Sequence, residues 1–140
     1  MIETTGAGGV IVNGKGQIVL VQNGRETPPF WGFPKGTVDE DEEILDAARR
    51  EIEEETGLRD LTLIKPLGSY QRYRGTQDGG DDMAELKTIH MFHFASEDTA
   101  LAPQDPHNPE ARWVSAEEAI AMLTHPKDRA YFESIVRDIA

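Results

Sequence analysis

The segment EILDAARREIEEETG, residues 43–57, constrains this chain more than any other stretch. Ile44, Leu45, Ala48 and Ile52 recur at helical spacing, which predicts a helix over 43–56 with one buried face. Gly57 is placed to end it. On the far side Glu51 and Glu55 stand one turn apart with Glu54 beside them, so three carboxylates share a face. Like charges at such spacings destabilise a bare helix by a few tenths of a kcal/mol per pair. Residues 39–55 hold ten of the chain's 26 acidic residues, so the load is concentrated here. A hard divalent cation would offset it, since Mg²⁺ favours carboxylate oxygens together with water and phosphate. A solvated acidic face is the competing reading, and spacing alone does not separate the two. The docked apolar side gives the glutamates a fixed direction, and the preceding loop WGFPKG (31–36) has a backbone that can approach a ligand closely.

The remaining elements fall around this helix. Residues 7–12 and 17–22 read as strands joined by a turn at 13–16, followed by a loop over 23–30 and the irregular WGFPKG. Further strands are expected at 61–74 and 87–95, separated by a polar, Gly-rich loop over 75–85. The stretch 99–110, with three prolines, reads as a loop. Residues 111–114 form a short strand. Ser115 and Glu118 match a capping box that starts a helix to about residue 123. Pro126 suits the first turn of a last helix ending near 139. At 140 residues the chain fits one domain spanning 1–140. Strands with helices before and after predict an α/β fold, an α/β/α sandwich around a mixed β-sheet.

With 14 basic and 26 acidic residues the net charge is −12, which repels nucleic-acid backbones and argues against a duplex binder. A polyanionic ligand would need metal ions or a few clustered Lys and Arg. Cysteine is absent, excluding disulfides and thiolate metal sites. The N-terminus lacks the pattern of a secretory signal, and no apolar run approaches the roughly 18 residues of a membrane span. A cytoplasmic protein, monomeric or homodimeric, is expected.

The segment 36–58 resembles the Nudix box, G-x5-E-x7-R-E-U-x-E-E-x-G-U, with U a bulky aliphatic residue. Gly36, Glu42, Arg50, Glu51, Ile52, Glu54, Glu55, Gly57 and Leu58 fill every specified position. A chance match to its fixed identities is on the order of 10⁻⁸ per window. The order of strands and helices, and Trp113-Val114-Ser115 before the capped helix, also look like that family. The resemblance implies a loop–helix–loop that holds Mg²⁺ or Mn²⁺ against a pyrophosphate, with Glu51, Glu54 and Glu55 as ligands and the Lys35 or Gly36 carbonyl a possible addition. It implies hydrolysis of a phosphoanhydride bond in a nucleoside diphosphate derivative, a small nucleotide being the partner. The general base would be Glu51 or Glu54, or a loop carboxylate among Glu110, Asp105 and Glu85. Glu42 and Arg50 are expected to pair with each other or with other box groups and to orient the ligands, Arg50 standing with the three glutamates as a catalytic candidate. Gly36 and Gly57 read as backbone requirements.

Substrate class is read from fewer residues. Lys at position 35 in WGFPKG is similar to the form in dinucleoside polyphosphate hydrolases, and would set a point charge on a bridging phosphate. Tyr73 falls near the place where that subgroup carries an aromatic residue beyond the box, with Tyr70 nearby. Arg72, Arg74 and Lys87 would complete a basic clamp. Strand parity puts Arg72 and Arg74 on one face and Tyr73 on the other. The same parity separates His90 from His93, so they make no metal pair. Diadenosine polyphosphates giving ATP or ADP are the expected substrates. The alternatives are a (d)NTP, the 5′ end of RNA, or a non-catalytic nucleotide-binding domain.

Overall fold

Alternation along one strand divides the interior into two cores. In β2 (Ile18–Asn23) Ile18 and Leu20 are buried in one apolar cluster, and Val19, between them, is buried in the other. Successive side chains in a strand point to opposite faces, so β2 belongs to a sheet covered on both sides. The computed structural model describes residues 2–23, 29–75, 81–97, 100–102 and 110–139. Among them the sheet has seven strands. β1 (Ile2–Val12), β3 (Phe30–Gly32), β5 (Thr62–Gly75) and β6 (Asp81–Ala95) join β2 in the order β3-β2-β1-β6-β5. β4 (Lys35–Thr37) pairs with β1, and β7 (Glu110–Val114) pairs with β2.

One face is covered by α1 (Ile44–Thr56), which buries Ala47, Ala48 and Ile52 against Ala7, Ile11, Val19 and Phe94. The other is covered by α2 (Ala116–Met122) and α3 (Pro126–Ile139), whose Ala119, Phe132, Ile135 and Ile139 pack on Val10, Leu20, Ile89 and Met91. Burying one such aliphatic side chain contributes about 1.5–3 kcal/mol, so these two layers fix where α1 sits. The result is the expected α/β/α sandwich around a mixed sheet. Ser115 caps α2 through the reciprocal bonds of a capping box with Glu118.

The structure extends three expectations. β1 begins at Ile2 rather than residue 7, because it runs parallel to β6 from Ile2↔Glu85 to Val12↔Ala95. That pairing is non-local, and the glycines at 6, 8 and 9 hide it from local propensity. WGFPKG is not simply irregular: it contributes β3, and β4 lies on β1 with Gly36 opposite Ala7. The expected loop over 75–85 is shorter, since 81–85 already belong to β6, while 76–80 lie outside the described residues. Residues 103–109 of the proline-containing stretch, with Asp105, lie outside them too.

Candidate active site

α1 delivers its three carboxylates at graded depth. Glu55, three residues after the buried Ile52, falls on the docked stripe and is only 2% exposed. Glu51 is half-buried, and the Glu54 side chain is 44% exposed. The shared face is therefore real as a helix face but runs from core to solvent. The helix ends where Gly57 adopts φ 82°, its N–H donating to Glu53 O at 2.8 Å. A Cβ there would press on the Ala102 backbone as well as strain a left-handed residue.

Arg50 gathers the acids around it. Its Nε and Nη2 donate to the two oxygens of Glu42 at 2.8 and 2.9 Å, a bidentate pair. Nη1 donates to Glu51 Oε1 at 2.7 Å, with Glu54 Oε2 at 3.5 Å, and Nη2 reaches the Thr37 carbonyl at 3.0 Å. These hydrogen bonds hold the Glu42 carboxyl down at about 2 and raise the Arg50 guanidinium further. Glu51 moves the other way: burial pushes its carboxyl up, and this outweighs Arg50, whose own rise comes mostly from Glu42. Against this carboxylate lies the backbone of Gly36, where any Cβ would overlap Glu51 Cδ and both oxygens. Only glycine leaves room for Glu51 there.

The opposite face of the sheet carries a basic group. Lys35 pairs with Gly8, and Arg72 is in register with Lys87, so all three project toward α3. Arg72 is buried, while Lys35 and Lys87 are half-buried. Asp128, Arg72, Glu55 and Lys87 are all near enough to act on the Lys35 ammonium, which burial pulls below its ordinary value. Burial likewise lowers Lys87, against the pull of Glu85 at 3.9 Å. Arg74 is exposed, beyond a register shift after Tyr73, though still near enough to act on Lys87. Tyr73 pairs with Leu86 on the other face, so it does not join Lys35, Arg72 and Lys87.

Two of the loop carboxylates have partners among the described residues. Glu110 accepts from Arg112 at 2.6 Å, and Glu85 accepts from Thr4 at 2.9 Å. His90 and His93 fall on opposite faces, aligned with Ala7 and Val10. Asp128 was not legible as a site residue. It is fully buried and accepts from Tyr70 OH at 2.5 Å. The signal was its place on the apolar stripe of α3, with Phe132, Ile135 and Ile139.

The NUDIX domain family matches residues 3–134 of this sequence. The chain belongs to that family. It is similar to the RNA pyrophosphohydrolase of Rhodospirillum rubrum, 30% identical over 143 residues that cover 96% of this chain and 86% of the relative. The RNA pyrophosphohydrolase of Bartonella bacilliformis is 28% identical, covering 93% and 88%. Among solved structures, a C. elegans Ap4A hydrolase binary complex has a TM-score of 0.77 at 20% identity, with 97% of each chain covered, which speaks for the fold alone. This chain is accordingly a Nudix pyrophosphohydrolase, an enzyme acting on phosphorus-containing acid anhydrides.

Nudix hydrolases generally use divalent metals such as magnesium. The residues here fit such an ion in kind: the donors are carboxylate and carbonyl oxygens, and the missing Cβ at Gly36 makes a cradle in which Glu51 meets the backbone. Among the described residues, no three acidic or histidine side chains are already gathered to metal-binding distance. Among the described residues, no helix is long and apolar enough to cross a membrane.

Proposed function

We propose that this Nudix enzyme cleaves a phosphoanhydride within a polyphosphate chain carried by a nucleoside, with diadenosine polyphosphates as its substrates. The observation that carries the reading is the row Lys35, Arg72 and Lys87 on one sheet face, beside Glu55. Lys35 and Lys87 stand two strand spacings and four residues apart, so their Cα atoms are on the order of 15 Å from each other. With Arg72 they offer three cations to successive phosphates of one chain, Lys87 lying near enough to act on the Lys35 ammonium. The row is also a local exception in a chain of net charge −12, which favours a small polyanion over a long one.

Glu51, Glu54, Glu55 and the Gly36 carbonyl would hold Mg²⁺, or Mn²⁺ in its place. When bound, the ion would neutralise phosphate charge and acidify a water for attack at phosphorus. The chain's own residues do the rest. Arg50, gripped by Glu42, fixes the direction of Glu51 and Glu54. Glu51 or Glu54 would take the proton from the attacking water. Lys35, Arg72 and Lys87 orient the phosphate chain in line, and their low-dielectric setting strengthens each contact.

A second reading, removal of pyrophosphate from the 5′ end of RNA, is favoured by the similarity to RNA pyrophosphohydrolases over nearly the whole chain. The test is a panel of diadenosine tetra- to hexaphosphates, nucleoside triphosphates and 5′-triphosphorylated RNA with Mg²⁺, followed by product identification. ATP and ADP released fastest from the diadenosine compounds would support the first reading. A clear preference for RNA or for mononucleoside triphosphates would reject it.

A further inference from the structure

Arg72 is a cation in a place that strongly disfavours cations. It is 6% exposed, and burial of a guanidinium without a counter-charge costs several kcal/mol. The counter-charge comes from outside the Nudix box, from the first turn of α3. Asp128 Oδ1 lies 3.1 Å from Arg72 Nε and accepts the Tyr70 hydroxyl at 2.5 Å. Tyr70 is itself held by stacking on Tyr131, ring centroids 4.3 Å apart, and Tyr131 OH donates to the Leu67 carbonyl at 2.9 Å. Both contacts fall on Oδ1 of Asp128, and among the described residues Oδ2 is buried without a hydrogen-bond partner.

What this arrangement leaves unused is informative. The Nε edge faces Asp128 as an ion pair at 3.1 Å without a formed hydrogen bond, and the guanidinium is covered by the Phe30 ring, 5.9 Å from Cζ. Nη1 makes one long hydrogen bond, to the Tyr73 carbonyl at 3.4 Å, and Nη2 makes none among the described residues. Arginine's fork thus keeps its phosphate-binding donors, already desolvated, beside Lys35 and Lys87. Counting the exposed Arg74, which acts on Lys87, four cations stand against the carboxylates of Asp128, Glu55 and Glu85, so the group retains one positive charge for an anion to neutralise.

We infer that Asp128 is a positioning residue for substrate binding: from α3 it holds Arg72 so that the guanidinium presents its Nη groups to the polyphosphate. The inference rests on the phosphate-row reading above. Asp128 touches no reacting atom, so its removal acts on substrate affinity through Arg72 and leaves the chemical step largely alone.

The experiment is a double-mutant cycle on the panel substrate that the wild type cleaves best, with kcat, KM and Tm measured for Arg72→Gln, Asp128→Asn and the double variant. Arg72→Gln is expected to raise KM about tenfold, and Asp128→Asn about three- to tenfold with kcat within about threefold. The double variant should be no worse in KM than Arg72→Gln alone, since the two act as one unit. A purely structural Asp128 would lower Tm and leave KM unchanged. That result, beside a raised KM in Arg72→Gln, overturns the positioning role while the phosphate-row reading stands. Multiplying effects in the double variant would overturn it too. An unchanged KM in Arg72→Gln would remove both readings at this residue. If Asp128→Asn does not fold, Tyr70→Phe removes one hydrogen bond from the same carboxylate. It should raise KM about two- to threefold, and only where Arg72 is present; no such rise overturns the inference.

Discussion

Replacing Gly36 by alanine separates the site's geometry from the fold's stability. The added Cβ would fall inside van der Waals contact with the Glu51 carboxylate, and real Cβ contacts essentially never lie under 3.0 Å. The carboxylate must therefore retreat by about 1 Å, a displacement that can cost on the order of 10²-fold in rate. Gly36 does not have positive φ, so alanine is tolerated by the backbone. Its stiffer unfolded chain stabilises by about 0.4–1 kcal/mol. The overlap costs about 1–3 kcal/mol. The net loss is then at most roughly 2–3 kcal/mol, which for a domain of this size lowers Tm by no more than about 10 °C. Steady-state kinetics across a Mg²⁺ titration, beside thermal melts, read both quantities. Combining Gly36→Ala with Glu51→Asp should recover Tm but not rate, because the shorter side chain escapes the overlap and still misplaces the carboxylate. Gly36→Ala activity within threefold of wild type would refute the cradle.

Glu42 is held at about 2 by Arg50, below its ordinary 4.5. Because the folded value is depressed, its contribution to stability is complete above about pH 4.5 and is lost as pH falls through about 2. The Tm gap between wild type and Glu42→Gln should therefore stay constant from about pH 8 to 5 and close toward pH 2; a gap that widens in acid contradicts the pairing. Ser115→Ala removes the capping box of α2, far from the chemistry, and should cost about 1 kcal/mol with kcat and KM unchanged. Raising salt from about 50 to 300 mM should raise KM for a polyphosphate several-fold and leave kcat nearly constant, since Lys35 and Lys87 are only half-buried. A KM indifferent to salt would speak against the basic row.

The helix of the Nudix box was legible because its signal is local. Apolar spacing, the Gly57 stop and the glutamate positions all lie within one segment, and the structure places α1 at Ile44–Thr56. The cap at Ser115 and the last helix were legible for the same reason. What escaped was non-local: the parallel pairing of β1 with β6, which lengthened β1 by five residues at its start, and the pairing of β4 with β1. Strand parity rightly separated Tyr73 from Arg72, but could not anticipate the register shift before Arg74. Asp128 lies 56 residues from Arg72, so its partner could not be named from either segment, although a carboxylate on an apolar helical stripe already called for one.

Two groups of opposite charge are kept apart by the sheet: Arg50 with its glutamates on the α1 side, and Lys35, Arg72 and Lys87 on the α3 side. They meet at β4. Consecutive residues of a strand point to opposite faces, so Lys35 enters the basic row while Gly36 backs the Glu51 carboxylate. A strand of three residues thus sets a cation of the basic row and an acid-facing backbone one peptide apart. A one-residue slip of β4 against β1 would exchange those roles, putting a lysine side chain where Glu51 needs space and a glycine in the basic row. The requirement for Lys-Gly at 35–36 is then a single requirement on register, imposed by both faces at once.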